Sequence, residues 1–399
     1  MKILIANKFY YPRGGDCVYT IELESLLKKA GHDVAIFSME HPETLETPWR
    51  HFFPSAVSFS PKEPIRFLKA LVRPLYSFEV RHKFNALLDD FKPDVLHLNN
   101  IHTQLSPLIA ELAKKRGICV VWTLHDYKLL CPRYDCLRRG NPCELCFDGD
   151  KSYVLRHSCL KGSKLASIIA WLEAKKWNRK RLEACIDAFI CPSRFMKEKM
   201  EQGGFAPQKL HVLRNFINPK KVEGPLPEKK DHYCYVGRLS EEKGIRTLLK
   251  VAAELPYTLK IVGTGPLEQE LREQYKGFNQ IEFLGYQEWP MIREVLGAAR
   301  CMVLPSEWYE NCPLSILEAF TLKTPVVASK IGGIQELLER GKTGHILFPP
   351  RDTDALSVAI SAFLNSSSST FTTPAHDDYN YFEGISEIYA LSIKSKTHH

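Results

Sequence analysis

Cys301-Met302-Val303-Leu304-Pro305-Ser306 and, a little further on, Glu310-Asn311-Cys312-Pro313-Leu314-Ser315-Ile316-Leu317-Glu318 decide how this chain is read. The first run is short and apolar, of strand type, and closes on turn residues. After it, Ile316, Leu317 and Phe320 recur at helical spacing, and Pro313 suits a first helical turn. The stretch therefore predicts a strand, a loop and a helix start, the repeating unit of a doubly wound α/β sheet. A helix start carries unpaired N–H groups and partial positive charge, which attract phosphate. Glu318 lies a turn further in, placed to accept hydrogen bonds from sugar hydroxyls, and Glu310 on the loop would point into the cleft above.

Around this stretch the same alternation recurs. Strands are expected at Tyr233 to Val236, Leu259 to Val262, Ile281 to Leu284, Val326 to Ala328 and Ile346 to Phe348, with helices between. Gly237-Arg238-Leu239-Ser240-Glu241-Glu242-Lys243-Gly244 follows the first of them. There Arg238 by a forked contact and Lys243 as a point charge could clamp a diphosphate from two sides; the plain alternative is two solvated cations. Gly263-Thr264-Gly265 ends the next strand but lacks a third glycine, so a nicotinamide dehydrogenase fits poorly. Gly332-Gly333 is another strand-end glycine pair.

The first half repeats the plan, with strands at Lys2 to Phe9, Asp33 to Ser38, Asp94 to Leu98, Ile118 to Leu124, Ala188 to Ser193 and Leu210 to Arg214. Helical patterns fall after Gly15, between Leu68 and Phe91, and between Leu105 and Arg116. The fold class is thus α/β, with two facing Rossmann-like, doubly wound parallel-sheet domains at 1–218 and 232–364. Residues 219–231, with three prolines and four lysines, read as a linker. Asn365 to Thr373 is a Ser/Thr-rich run, and 377–394 a final helix. In such sheets ligands bind at the carboxyl ends of strands. Gly14 and Gly15, the His97 to His102 segment and His125-Asp126 fall there. The glycine pair allows close backbone approach to a ligand or is simply a tight turn. His125 suits a sugar hydroxyl or proton transfer, or is a structural histidine beside a capping Asp126.

With 399 residues, 44% hydrophobic and 25% charged, the chain can bury two full cores. Met1 to Ala6 reads as a strand and not a signal peptide, and no apolar run reaches the ~20 residues of a spanning helix. Twelve cysteines then suggest reduced thiols in a cytoplasmic protein. Cys131, Cys136, Cys143, Cys146 and Cys159 crowd one loop, either as part of a zinc site, with His157 as a further candidate, or as free thiols. No catalytic metal is expected. Asp148-Gly149-Asp150 and Asp352-Thr353-Asp354 both match a metal-dependent Asp-x-Asp pattern, and neither is weighted.

Residues 1 to 218 hold 34 Lys and Arg against 23 acids, and the remainder 20 against 23. A basic half suggests nucleic acid, an anionic membrane surface or an anionic substrate. No nucleic-acid motif accompanies it. Residues 151 to 182 carry nine bases and one acid, with Leu165, Ile168, Ile169, Leu172 and Trp177 at apolar positions. Peripheral contact with an anionic membrane and a packed helix with one solvated basic face are both open.

Taken together, Gly237 to Gly244, the Glu310 and Glu318 pair, Pro325-Val326-Val327-Ala328 leading to Gly332-Gly333, and Gly14-Gly15 resemble the retaining glycosyltransferases of family 4. The similarity spans most of the chain and is strongest from Tyr233 to Pro349. His125-Asp126 followed by a cysteine-rich loop resembles a branch often associated with bacterial surface polysaccharides. The resemblance implies a GT-B fold, with a UDP- or GDP-linked sugar held mainly by the second domain and a glycan or lipid-linked saccharide acceptor by the first. It implies that Arg238 and Lys243 meet the donor diphosphate, Glu318 the ribose and Glu310 the donor sugar. The backbone of Asn311, Cys312, Pro313, Leu314 and Ser315 then reaches sugar and phosphate. His125 touches the sugar near the reacting carbon, Gly14 and Gly15 approach the phosphate, and Gly265 lies on the donor side. The final helix would fold back on the first domain. No cofactor is implied beyond the donor itself. Two departures stand out: Asn311-Cys312-Pro313 between the glutamates, and Asn99 where relatives often carry His. Rival readings are an epimerase or phosphorylase on the same scaffold, or a non-catalytic nucleotide-sugar sensor. On the transferase reading, Lys243→Ala is expected to abolish most transfer and to leave the fold intact.

Overall fold

The computed structural model describes residues 1–57, 69–218, 221, 223–340, 344–365 and 380–397. The helical pattern's start at Leu68, residues 219, 220 and 222 of the linker, the Ser/Thr-rich run beyond Asn365 and residues 377–379 of the final helix lie outside these. Two compact units emerge. The first comprises Met1–Cys136, Cys143–Asn215 and Asn380–His399; the second comprises Phe216–Tyr379 together with Leu137–Pro142.

In the first unit the chain runs β1 (Lys2–Ala6), α1 (Gly15–Lys29), β2 (Asp33–Phe37), α2 (Phe78–Phe91), β3 (Val95–Leu98), α3 (Leu108–Lys115) and β4 (Cys119–Thr123). The small hairpin β5 (Leu137–Arg138) and β6 (Asn141–Pro142) is grouped with the second unit. Next come α4 (Tyr153–Arg156), α5 (Lys164–Lys176), α6 (Arg179–Cys185), β7 (Ala188–Cys191), α7 (Arg194–Gln202) and β8 (Leu210–Val212). Its sheet is wholly parallel in the order β2-β1-β3-β4-β7-β8.

The second unit follows with β9 (His232–Val236), α8 (Ile245–Glu254), β10 (Thr258–Val262), α9 (Glu268–Gln274), β11 (Ile281–Gly285), α10 (Trp289–Ala298) and β12 (Met302–Leu304). It continues with α11 (Leu314–Thr321), β13 (Val326–Ser329), α12 (Ile334–Arg340), β14 (His345–Phe348) and α13 (Thr353–Leu364). Its parallel sheet is ordered β11-β10-β9-β12-β13-β14. The doubly wound, two-sheet α/β architecture read from the alternation is the one observed.

Why the strands read as continuous apolar runs is visible in the second core. Successive strand residues point to opposite faces, and here both faces are covered. Tyr233, Tyr235, Val303 and Val327 face one cluster with Leu248 and Ile360; Cys234, Met302, Leu304, Val326 and Ala328 face another with Leu296, Ile316 and Leu337. The 219–231 segment is less of a tether than its composition suggests. Lys229 Nζ donates to Gly297 O at 2.8 Å, Ala299 O at 2.9 Å and Thr324 Oγ1 at 3.1 Å, and burial pulls its pKa down to about 8.

A final helix, α14 (Tyr381–Thr397), belongs to the first unit and buries Tyr381, Ile385, Ile388 and Tyr389. It answers a problem set by β3. His97 is fully buried in that strand, so both ring nitrogens need partners. Nδ1 meets Tyr389 Oη at 2.6 Å and Nε2 meets Thr123 Oγ1 at 2.9 Å. Burial first, then the charge of His125, pushes its pKa down to about 3, so the ring stays neutral. Tyr19 Oη joins the network, bonded to Tyr381 Oη and 3.3 Å from Thr123 Oγ1. His97 is therefore a core residue and no part of a ligand surface. Tyr389→Ala is expected to cost the first unit about 3–5 kcal/mol. Tyr389→Phe, which only orphans His97 Nδ1, should cost about 1–3 kcal/mol. Urea denaturation of both variants checks this, and equal losses would show that the hydrogen bond and not the packing holds the helix.

Candidate functional site

The loop leaving β12 carries Ser306 and Glu310, and both are buried. A buried carboxylate needs a cation and donors. Lys243 Nζ lies 2.6 Å from Glu310 Oε1, and Ser306 Oγ donates to the same oxygen at 2.7 Å. Burial alone would push this carboxyl up, but the Lys243 ammonium and these hydrogen bonds outweigh it and hold the pKa below the usual range. Lys243 also lies 5.0 Å from the centre of the Trp308 ring. Lys243 and Glu310, read separately from sequence, are thus a direct pair. Lys243→Ala would strand a buried charge, so the expectation that it spares the fold is corrected.

Glycines set the approach of the neighbouring loops. Gly244 follows the 3-10 turn Glu241–Lys243 at φ 66°, and a Cβ there would fall 1.9 Å from Pro305 O. Gly332, at φ 59°, would place a Cβ 2.3 Å from Glu310 O, while the next amide, Gly333 N, donates to that oxygen at 2.7 Å. The strand-end glycines thus let the β9 and β13 loops close on either side of the Glu310 loop. Gly265 has a similar duty: a Cβ would sit 2.3 Å from Leu239 O, and Leu239 N donates to Thr264 O at 2.9 Å. Packing of the β9 and β10 loops accounts for this glycine. Tyr235 Oη donates to Arg238 O at 2.8 Å and steadies the turn, while the Arg238 side chain is exposed.

Pro313 is the N-cap of α11, one place before the helix, which begins at Leu314. A proline side chain has no polar atom with which to cap the first amides. Asn311, Pro313, Leu314 and Ser315 are partly exposed, whereas the Cys312 side chain packs in the core, leaving its backbone as the part able to face a ligand. Glu318, one turn in, is 2.7 Å from Lys221 Nζ. That ammonium lies 4.7 Å from the centre of the Trp289 ring. Sequence reading missed Lys221, Trp289 and Ser306. Lys221 stood in a segment set aside as linker, and nothing in spacing links a serine to a carboxylate four residues on until the loop is folded.

In the first unit, α1 begins at Gly15 directly after Gly14, its N-cap. Gly14 is extended, at φ −162°, and a Cβ would meet only Asp16 Oδ1 at 3.6 Å, so neither strain nor crowding demands glycine there. Tyr19 on the same helix stands edge-on to His125, 4.8 Å between ring centres. His125 Nε2 is 2.9 Å from Asn99 Oδ1. With the amide oxygen turned toward the ring, Nε2 would carry the proton and Nδ1 the lone pair. Enclosure pulls the His125 pKa down to about 4, against the attraction of Asp16 and with the repulsion of Lys8. The ring is neutral at pH 7. Lys8, just beyond β1, also stabilises the charged form of Asp126, whose pKa burial nevertheless raises. Asp126 Oδ1 accepts from Lys128 N at 2.9 Å, closing a turn; the capping alternative was nearer to its local role.

None of the twelve cysteines is joined in a disulfide, and among the described residues no group of three or more His, Cys, Asp or Glu is placed to hold a metal ion. The Asp-x-Asp matches have local duties. Asp148 accepts from Asp150 N at 2.9 Å, Asp150 from Ser152 N at 2.8 Å, and Asp352 caps α13 through Ala355 N at 2.9 Å.

The pair is testable by stability. Lys243→Met should cost about 3–5 kcal/mol at neutral pH, because Glu310 stays buried without its cation. Lys243→Met combined with Glu310→Gln should cost clearly less than the two single losses added. The folded pKa of Glu310 lies below its ordinary 4.5, so its contribution is complete above that pH and is lost as pH falls through the folded value. Urea titrations of the four proteins across the acid range measure both effects, and additive losses would show that the two groups do not couple.

Comparison with known proteins fits this geometry. Residues 217–375 match the model of "Glycosyl transferases group 1", and residues 13–221 match "Glycosyltransferase Family 4". An uncharacterized 42.6 kDa protein in the cps region of Klebsiella pneumoniae is 26% identical over 89% of this chain and 92% of its own length. The putative colanic acid biosynthesis glycosyltransferase WcaL of Salmonella typhimurium is 32% identical over 41% of this chain and 44% of its own. Among solved structures, Anabaena HepE in complex with UDP-glucose superposes with a TM-score of 0.66 at 18% identity, covering 99% of this chain and 100% of that one. With the family's model matching more than half of its length, strand-end loops included, this chain belongs to Glycosyltransferase Family 4.

Proposed function

We propose that this chain transfers a sugar, of hexose or related type, from a UDP- or GDP-linked donor to a glycan or lipid-linked saccharide, retaining anomeric configuration and using no metal. The observation that carries this is the Lys243–Glu310 pair at 2.6 Å, set where the β9 and β12 loops meet at the carboxyl ends of their strands. Breaking a sugar–phosphate bond puts negative charge on the departing diphosphate and positive charge on the sugar. Arg238, Lys243 and the start of α11 can take up the first. An ammonium has three donors, so Lys243 can keep Glu310 and still meet a phosphate oxygen. Glu310, held as a carboxylate, then orients sugar hydroxyls and lies near the developing positive charge.

Glu318 would serve the ribose, with Lys221 either sharing or yielding it. In the first unit, neutral His125 offers Nδ1 as an acceptor for a sugar hydroxyl, and Gly14 leaves room for phosphate to approach the start of α1. The donor's own phosphate would take the acceptor's proton on the same face from which it leaves, which yields retention. The family of the chain supports work in the cytoplasm, in contact with the inner face of the membrane.

Arg238→Gln tests the reading without disturbing a buried pair, because this side chain is exposed. It should lower kcat/KM for transfer by about 100-fold or more and leave the thermal midpoint unchanged. Unchanged turnover would remove Arg238 from the donor diphosphate. A panel of UDP- and GDP-sugars identifies the donor by stabilisation of about 2.7 kcal/mol at 100 times its Kd. Product anomers, and activity in the presence of a chelator, decide retention and metal independence.

A further inference from the structure

The helix α5 turns an apolar stripe to solvent. Leu165, Ile168 and Leu172 are 53%, 43% and 37% exposed, one helical turn after another, whereas Ser167, Ala170 and Glu173 on the opposite side are buried. Scattered exposed apolar side chains are ordinary. Here a second segment joins them. Lys176 Nζ donates to Leu75 O at 2.5 Å and lies 5.6 Å from the centre of the Tyr76 ring, and Trp177 Nε1 donates to Pro74 O at 2.8 Å. Val72 and Phe78 on that segment are 51% and 79% exposed, with Phe78 edge-on to Tyr76 at 4.9 Å.

Along α5 and its flanks the exposed charge has one sign. From 161 to 180 there are six bases, Lys161, Lys164, Lys175, Lys176, Arg179 and Lys180, and one acid, Glu173. Glu173 is buried and paired with Lys128 at 2.9 Å, so it contributes no repulsion at the surface. Lys161, Lys164, Lys175 and Lys180 are exposed. A second copy of this basic face would be repelled.

We propose that the exposed face of α5 with the adjoining Val72 to Phe78 segment docks on an anionic lipid surface. Leu165, Ile168, Leu172 and Phe78 enter the boundary of the acyl chains while the four exposed lysines meet headgroup phosphates. This deepens the proposed membrane contact and rests on that reading for its purpose, since docking would bring the first unit to a lipid-linked acceptor; its geometry stands apart from the chemistry.

The test is co-sedimentation of the full chain with phosphatidylcholine vesicles, with and without phosphatidylglycerol. Binding should require the anionic lipid and weaken with salt. Each of Lys161→Gln, Lys164→Gln and Lys175→Gln should lower partition about fivefold. Ile168→Ser with Leu172→Ser should lower it at least tenfold. All these side chains are exposed, and an unchanged thermal midpoint verifies the fold of each variant. Equal sedimentation with both vesicle types, or variants that bind like the parent, overturns the proposal, as does lipid-independent binding through this face to an acidic protein. Donor hydrolysis is measured alongside: vesicle binding without turnover sinks the transferase chemistry alone, and turnover without vesicle binding sinks the docking face alone.

Discussion

A carboxylate buried on a loop is the constraint to which the second unit is built. Taking Glu310 out of water costs several kcal/mol, which a cation recovers only at close range and with the remaining lone pairs occupied. Lys243 and Ser306 meet that condition on one oxygen, at 2.6 and 2.7 Å. Lys243 and Glu310 lie on different loops, so the pair forms only if those loops are held close together. Gly244 and Gly332 permit this: each lets a neighbouring backbone pass where a Cβ would collide. Glycine at these positions is therefore a consequence of an electrostatic requirement elsewhere.

The sheet sets where those loops can be. In a parallel sheet every strand delivers its following loop to the same edge, so β9, β10, β12 and β13 present four loops side by side. β12 and β9 are neighbours, and Lys243 and Glu310 follow one from each. In the first unit, β1 and β4 lie on either side of β3, and α1 leads Tyr19 across to His125. Beneath it, Thr123, His97, Tyr19 and the tyrosines of α14 form a buried polar chain that fixes the ring's surroundings.

Backbone periodicity is local, and that is why the fold was legible. A run such as Val326 to Ala328, short, β-branched and preceded by Pro325, reads as a strand covered on both faces, and the strand-end glycines mark where loops must crowd. Contacts between loops are not local. Nothing in the spacing joined Lys243 to Glu310, 67 positions apart, or Lys221 to Glu318, 97 apart. At Gly265 a strand-end glycine has two uses, close approach of substrate or close approach of backbone, and sequence does not separate them. Pro313 was placed one residue too far into its helix because a fixed φ near −65° suits both N-cap and first turn. His97 and His125 each end an apolar strand pattern, and only the docking of α14 makes the first a core residue.

The two lysine pairs also resolve a difficulty in the proposed chemistry. A site that holds sugar hydroxyls wants carboxylates, since they accept hydrogen bonds strongly; a site that holds a diphosphate wants none nearby, since like charges repel at several ångströms even through high dielectric. Glu310 and Glu318 left bare would oppose the phosphates that Arg238 is placed to meet. Pairing each with a lysine cancels their charge, so these five groups together carry one net positive charge, from Arg238. An ammonium that meets one carboxylate oxygen keeps two further donors, so in the proposed chemistry the lysines cancel charge without closing the site. On that proposal, lysines at positions 221 and 243 let one surface meet both the hydroxyls and the phosphates of a nucleotide sugar.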